Sequence, residues 1–231
     1  MLYLFIGRSV HSVMDTISRD GRMIEERLEI EKEGFRLSGK PDIFDIERGI
    51  LEDYKITSAW SLVFSGGSKE EWDKQLNCYA YLIRKVKGYE VKAANITAIL
   101  RDWDKRKAAE DESYPQTPIK TIPIVLWSDA EQEKYITDRL REHGKANGQS
   151  TEEVAVCSPE ERWFRPGKFA VKKVGAKKAE RLFDNKEDAV KYVGDGKLII
   201  EERQGVNTRC ISYCPVAKFC PFGAKLKALV S

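Results

Sequence analysis

The chain has 231 residues, 42% of them hydrophobic, which suits one domain with an appended subdomain or two small domains. Its 40 Lys and Arg stand against 37 Asp and Glu, and a net charge of +3 is too small to diagnose nucleic-acid binding, so any basic patch must be local. No apolar run approaches the roughly 18 to 20 residues that span a membrane. The apolar opening, residues 1–6, has no basic leader and meets Gly7 and Arg8 at once. A cytoplasmic protein without a membrane partner is therefore the expectation.

Residues 11–24 read as a helix, with Val10, Val13, Met14 and Ile17 on one apolar stripe. Residues 27–31 alternate as a half-buried strand does, and Glu33-Gly34 supplies a turn. Residues 35–46 alternate loosely, Arg48-Gly49 breaks the run, and residues 50–56 form a third strand, so the three make a meander. Ser68 is the expected N-cap of the next helix, with Glu70 and Glu71 in its first turn. Trp72, Leu76, Tyr79, Ala80 and Ile83 mark that helix, which ends near Gly88. Residues 92–101 read as a strand, 105–118 as a polar loop, and 121–126 as another strand. Ser128 caps a helix that runs to about His143 and stops at Gly144, and residues 144–150 form a linker. Beyond it stand short strands at 169–174 and 198–202, a short helix after Asp184-Asn185, and a group of cysteines.

This order predicts an α/β fold with a mixed sheet rather than a doubly wound parallel one. Residues 1–150 form the core, and residues 151–231 form an α+β, cysteine-containing extension packed on it. No GxxxxGK[ST] occurs, so the chain has no P-loop and is not itself a helicase.

Asp42 lies in the second strand of the meander and Asp53 in the third, so a short antiparallel turn can bring both to one end of the sheet. Converging carboxylates repel each other unless a hard cation sits between them. Mg²⁺ or Mn²⁺ suits such oxygen ligands and keeps sites for water and phosphate. Lys55 follows Asp53 by two, so both point to one strand face and Tyr54 to the other, which frees the Tyr54 carbonyl as a further oxygen ligand. Phosphodiester cleavage uses such groups: a metal polarises the phosphate, and an ammonium orients water and offsets charge. Alone, the pattern is more simply that of two strand-end or turn carboxylates beside a solvated lysine, and the case rests on the features that accompany it.

Gly39-Lys40-Pro41-Asp42, Glu52-Asp53-Tyr54-Lys55 and Gln75-Leu76-Asn77-Cys78-Tyr79, in that order after His11, resemble the RecB-like branch of the PD-(D/E)XK nucleases. That branch includes AddB nuclease domains, CRISPR-associated RecB-like exonucleases and many phage exonucleases. Its pattern is a His on the first helix, GxxD, (D/E)xK, then QxxxY on a helix. The resemblance covers residues 7–85 and implies a restriction-endonuclease-like core acting as a metal-dependent DNA exonuclease in recombination, repair or phage DNA processing. It implies His11, Asp42, Asp53 and the Tyr54 backbone carbonyl as metal ligands, Lys55 as the catalytic lysine, Gln75 as a group that positions Lys55, water or DNA, and Tyr79 as a DNA contact or a buttress for Gln75. Single- or double-stranded DNA ends would be the substrate, with a helicase or recombinase as a possible partner. A structure-selective or restriction-type endonuclease, and an inactive DNA-binding module of the same fold, are the alternatives.

Cys210, Cys214 and Cys220 fall within eleven residues, which in a reducing compartment points to metal rather than to disulfides. Zinc or an iron–sulfur cluster usually takes four ligands. RecB-like nucleases with an iron–sulfur staple keep their fourth cysteine ahead of the His-bearing helix, but no cysteine precedes His11 here. Cys157 is the better-placed candidate, and Cys78 reads as a small buried hydrophobe. Family likeness favours [4Fe–4S] over zinc, and three reduced thiols without metal is the plain alternative. Arg165, Lys168, Lys172, Lys173, Lys177 and Lys178, interleaved with Trp163, Phe164 and Phe169, form a candidate DNA-binding patch. The competing reading is a solvated hairpin.

Overall fold

The computed structural model describes residues 20–194 and 197–229, in two compact units, residues 1–144 and 145–231. Most of the helix expected over residues 11–24 lies outside the described residues. Its last part is not helical. Gly21 turns the chain at φ +67°, and β1 (Arg22–Ile24) follows.

The expected meander is divided between two sheets. Among the described residues, β2 (Leu28–Lys32) and β3 (Phe35–Gly39) pair only with each other, whereas β4 (Ile43–Asp45) and β5 (Ile50–Thr57) belong to a five-stranded sheet. Pro41 separates them. It offers no N–H to a ladder, so the extended run breaks and restarts at Ile43. The large sheet has the order β1-β4-β5-β6-β7, completed by β6 (Ala93–Leu100) and β7 (Ile119–Ile124). Its pairings are antiparallel except β5 with β6. The sheet is therefore mixed, and the fold is α/β as expected.

A parallel pair needs a crossover, here two helices. α1 (Ala59–Phe64) was not expected, and α2 (Glu70–Lys87) was. Ser58 caps α1 by accepting a hydrogen bond from the Ser61 amide at 3.0 Å. The α2 N-cap is Lys69 rather than Ser68, whose buried hydroxyl makes no hydrogen bond among the described residues. Trp72, Leu76, Ala80 and Ile83 of α2 are all buried and face the strands. Asn77, fully buried, donates to the Val125 carbonyl at 3.0 Å and accepts from the Trp127 amide at 2.8 Å, pinning α2 to the chain after β7.

One face of the sheet carries the core: Leu51, Ala94, Ile96, Ala98, Leu100, Ile122 and Ile124 are all buried. Each fully buried Leu or Ile stabilises the fold by roughly 1.5–3 kcal/mol, so the strands form a rigid support. Asp53 and Lys55 share this face, because they continue the Leu51 parity along β5.

Two further expectations are corrected. Residues 105–118 contain α3 (Lys105–Glu110), capped by the Asp104 side chain, which accepts from the Arg106 and Lys107 amides. α4 (Asp129–Asn147) does not stop at Gly144. That glycine lies where a Cβ would come within 3.2 Å of the Phe35 ring, so it reads as a packing residue and not a helix stop.

In the second unit, β10 (Arg181–Phe183), β9 (Lys168–Lys173) and β11 (Leu198–Arg203) form an antiparallel sheet in that order. α5 (Lys186–Val193) packs on it, capped by Asn185. A short ladder joins β8 (Phe164–Arg165) to β12 (Val206–Asn207). A π-helical turn, Arg209–Tyr213, and α6 (Pro221–Ala228) complete the unit.

Candidate active site

β4 pairs with β5 so that Ile43 faces Glu52 and Phe44 faces Leu51. One step further along this register, Asp42 stands opposite Asp53. Both are buried, Asp42 at 5% exposure and Asp53 at 1%. The Asp42 Oδ2 accepts the Tyr54 amide at 2.8 Å, so the carboxylate takes up a β5 donor just where β4 begins. The Lys55 Nζ lies 2.5 Å from the Asp53 Oδ2. Tyr54 points to the opposite face, where it packs on Ile24 and Ile43. Burial raises its phenol's pKa, with the charges of Glu52 and Asp42 adding to the effect.

The helix side of the site comes from α2. The Gln75 Nε2 donates to the Tyr79 hydroxyl at 2.9 Å, one helical turn away. Burial pushes the Tyr79 phenol up against the opposing Gln75 hydrogen bond, and the negative charges of Asp53 and Asp42 push the same way. Tyr79 therefore stands within electrostatic reach of both carboxylates. The same ring explains the glycine of the GxxD motif. A Cβ on Gly39 would meet Tyr79 at 2.9 Å and Leu82 at 2.7 Å, so only glycine lets α2 approach the strand that leads into Asp42. Lys40 of the motif forms an ion pair with Glu25, a residue held at φ +46° whose amide donates to the Asp42 carbonyl at 2.9 Å. Sequence reading missed this Glu25–Lys40 brace, because only the fold brings the two together.

The two buried carboxylates form an all-oxygen donor pair beside the Lys55 ammonium, which fits a hard divalent cation. Among the described residues, no group of three or more His, Cys, Asp or Glu side chains lies close enough to hold a metal. Asp42 and Asp53 thus offer two of the expected ligands, and His11 lies outside the described residues.

The same finding bears on the cysteines, which do not form a preassembled metal site. All are reduced. Cys157 is exposed, and Cys210, Cys214 and Cys220 are half-buried. They are nonetheless neighbours. The Arg209 amide donates to the Arg162 carbonyl at 3.1 Å and the Arg209 guanidinium to the Glu161 carbonyl at 3.0 Å, which ties the chain after Cys157 to the chain at Cys210. Burial raises the Cys210 thiol's pKa, and the charges of Cys214, Cys157 and Cys220 raise it further. Cys78 is separate, on α2 in the first unit, where burial pushes its thiol up to about 11.

The basic residues of the second unit are largely engaged. Lys168 pairs with Asp184 and Lys172 with Glu201. Lys173 reaches Glu180 at 3.5 Å, and Arg165 donates to the Thr208 hydroxyl at 3.1 Å. Lys177 and Lys178 are exposed in the turn between β9 and β10. Trp163 and Phe164 are exposed, and Trp163 packs on Tyr213 with ring centres 5.4 Å apart.

No curated protein matches the chain. Among solved structures, the crystal structure of SSO0001 is 14% identical with a TM-score of 0.39, over 58% of this chain and 57% of that one, a likeness too slight to carry an argument. The family comparison is of another order, since the model described as "PD-(D/E)XK nuclease superfamily" matches residues 5–221. It covers GxxD, the Asp53–Lys55 pair and the Gln75–Tyr79 helix together, and such nucleases usually use Mg²⁺ or Mn²⁺. The chain belongs to the PD-(D/E)XK nuclease superfamily.

Proposed function

We propose that the protein is a Mg²⁺- or Mn²⁺-dependent deoxyribonuclease of the RecB-like type that degrades DNA from its ends, in recombination, repair or phage DNA processing. The observation that carries this reading is Asp53, buried beside Asp42 and held 2.5 Å from Lys55. Asp42, Asp53, the Tyr54 carbonyl and His11 would hold the cation. When bound, the cation supplies phosphate polarisation and a more acidic water. Lys55 offers a fixed ammonium where negative charge grows on the phosphate. Gln75, its amide fixed by Tyr79, positions Lys55 or water. Lys177 and Lys178 supply the DNA-facing charge of the second unit. Lys168, Lys172, Lys173 and Arg165 contribute less, because each already has a partner.

Digestion of end-labelled linear DNA, beside a circular single strand, tests the reading. With Mn²⁺ or Mg²⁺ the linear substrate should be degraded and the circle spared, and EDTA should stop the reaction. Asp53→Ala and Lys55→Ala should each lose activity while staying folded. Cutting of the circle would point to an endonuclease, and equal activity in both variants would remove the site.

For the cysteines we propose a structural metal, [4Fe–4S] ahead of zinc, held by Cys157, Cys210, Cys214 and Cys220 as the local chain closes around it. Anaerobic purification followed by iron and zinc analysis decides this. Absence of both metals would end the idea.

A further inference from the structure

A cleft of about 540 Å³ opens in the first unit between the end of α1 and the chain after α3, lined by Leu62, Val63, Gly66, Tyr114, Gln116 and Lys120, among others. Its volume falls within the range of small-molecule sites. The sheet register ties it to the active site. Lys55 faces Ala98 on β6, and Ala98 faces Lys120 on β7. Residues paired in this way share a face, so Lys120 lies in the Lys55 row two strands over, about 10 Å away. A third lysine stands near the same row, since the Lys69 Nζ donates to the Thr57 hydroxyl at 3.3 Å, two residues beyond Lys55.

Beside the cleft stands an aromatic platform. Phe64 is 81% exposed, unusual for so large a ring, and lies flat on Trp60 with centres 5.7 Å apart and planes 25° apart. Trp60 in turn abuts Tyr114 edge-on at 5.4 Å. Tyr114 is buried, and its hydroxyl donates to the Asp102 carbonyl at 3.2 Å. The exposed ring therefore rests on a fixed stack. After Phe64 the chain leaves through Gly66 and Gly67, both at positive φ, where an added Cβ would meet nothing within 4 Å. The wall of the cleft is low on that side.

A rigid, exposed aromatic next to a cleft, with lysines leading from it toward the catalytic lysine, matches the chemistry of an unpaired strand: a π-face for a base and ammonium groups for phosphates. Resting on the nuclease reading, we infer that Phe64, stacked on Trp60, together with the Lys120 cleft, forms a subsite for an unpaired nucleobase next to the scissile phosphate, and that this subsite selects single-stranded DNA. A base paired in a duplex keeps its face covered by its neighbours and cannot stack there.

Binding without cleavage tests this apart from the nuclease reading. The full chain is titrated in EDTA against three fluorescein-labelled probes: an oligo-dT, an abasic oligonucleotide of the same length and charge, and a blunt hairpin duplex. The wild type should bind oligo-dT more tightly than either other probe. Phe64→Ala, at an exposed position, should lose on the order of tenfold in oligo-dT affinity with abasic binding unchanged. Phe64→Trp should retain affinity. Lys120→Ala should weaken oligo-dT and abasic binding alike. No preference for oligo-dT over the abasic probe, or a Phe64→Ala loss that is absent or equal for both, would overturn the subsite. Base-dependent binding that needs Phe64, in a protein that cuts nothing, would uphold the subsite and sink the nuclease reading. Cleavage of DNA unaffected by Phe64→Ala, with no base-dependent binding, would do the reverse.

Discussion

The two units handle charge in opposite ways. In the first, Asp42 and Asp53 are almost wholly buried, one held by a backbone amide and the other by Lys55. In the second, a longer run of charged residues lies at the surface, and most of its lysines find carboxylates on neighbouring strands or turns. Burying a charge is costly unless something compensates for it, so a fold that keeps two carboxylates together in a dry place has committed structure to them. Exposed lysines paired across a sheet need no such commitment, and each such pair is worth only about 0–1 kcal/mol. Density of charge in the sequence is thus a weaker sign of function than burial of charge in the fold.

This contrast can be broken in three places. The largest effect is expected at Asp42. Asp42→Asn keeps the size of the side chain but removes half of the carboxylate pair, so DNA cleavage should fall on the order of 10³-fold, the scale of losing one preorganised electrostatic group. Activity within a few-fold of wild type would mean that the burial of Asp42 serves the fold alone.

The next effect is on stability. Gly39→Ala places a methyl against Tyr79 and Leu82, and such overpacking costs about 1–3 kcal/mol. A lower urea midpoint at unchanged slope should show it, together with reduced cleavage as Tyr79 and Gln75 shift. An unchanged midpoint would mean that α2 can retreat without cost, and the packing explanation of the GxxD glycine would fail.

The smallest effect is expected among the lysines of the second unit. Lys177→Ala with Lys178→Ala should lower the salt slope of single-stranded DNA binding by roughly 0.7 for each phosphate that is no longer neutralised. Lys172→Ala with Lys173→Ala should leave it nearly unchanged, because Glu201 and Glu180 already engage those charges. The reverse order would show that the ion pairs open on binding and that the whole run is an interface.

Much of the site's ingredient list could be read from the chain, since Asp42, Asp53, Lys55, Gln75 and Tyr79 stand in an order and spacing that resembles a family. What could not be read was how the site is held. The Glu25–Lys40 brace and the Asp42–Tyr54 hydrogen bond join residues whose proximity depends on where β4 begins. The continuous meander failed at Pro41, a residue whose missing N–H could have signalled the break. α1 escaped notice because Trp60, Leu62 and Phe64 alternate as a strand does, and six residues are too few to show a helical period. α3 is short and polar, and only Ala108 packs partly on the core, so it leaves no apolar stripe to find. Gly144 looked like a helix stop because the Phe35 ring that demands a small residue there lies more than a hundred positions away. The basic run looked free for DNA because its partners, Glu180, Asp184 and Glu201, lie on other strands or turns.

The central claim is that the buried Asp42–Asp53 pair holds a divalent cation for phosphodiester cleavage. Calorimetric titration of Mn²⁺ into the wild-type protein and into Asp53→Asn, with the fold of each checked by circular dichroism, tests it most directly. Saturable Mn²⁺ binding is expected in the wild type, and it should be lost or weakened at least tenfold in Asp53→Asn. Equal Mn²⁺ binding by the two folded proteins would contradict it.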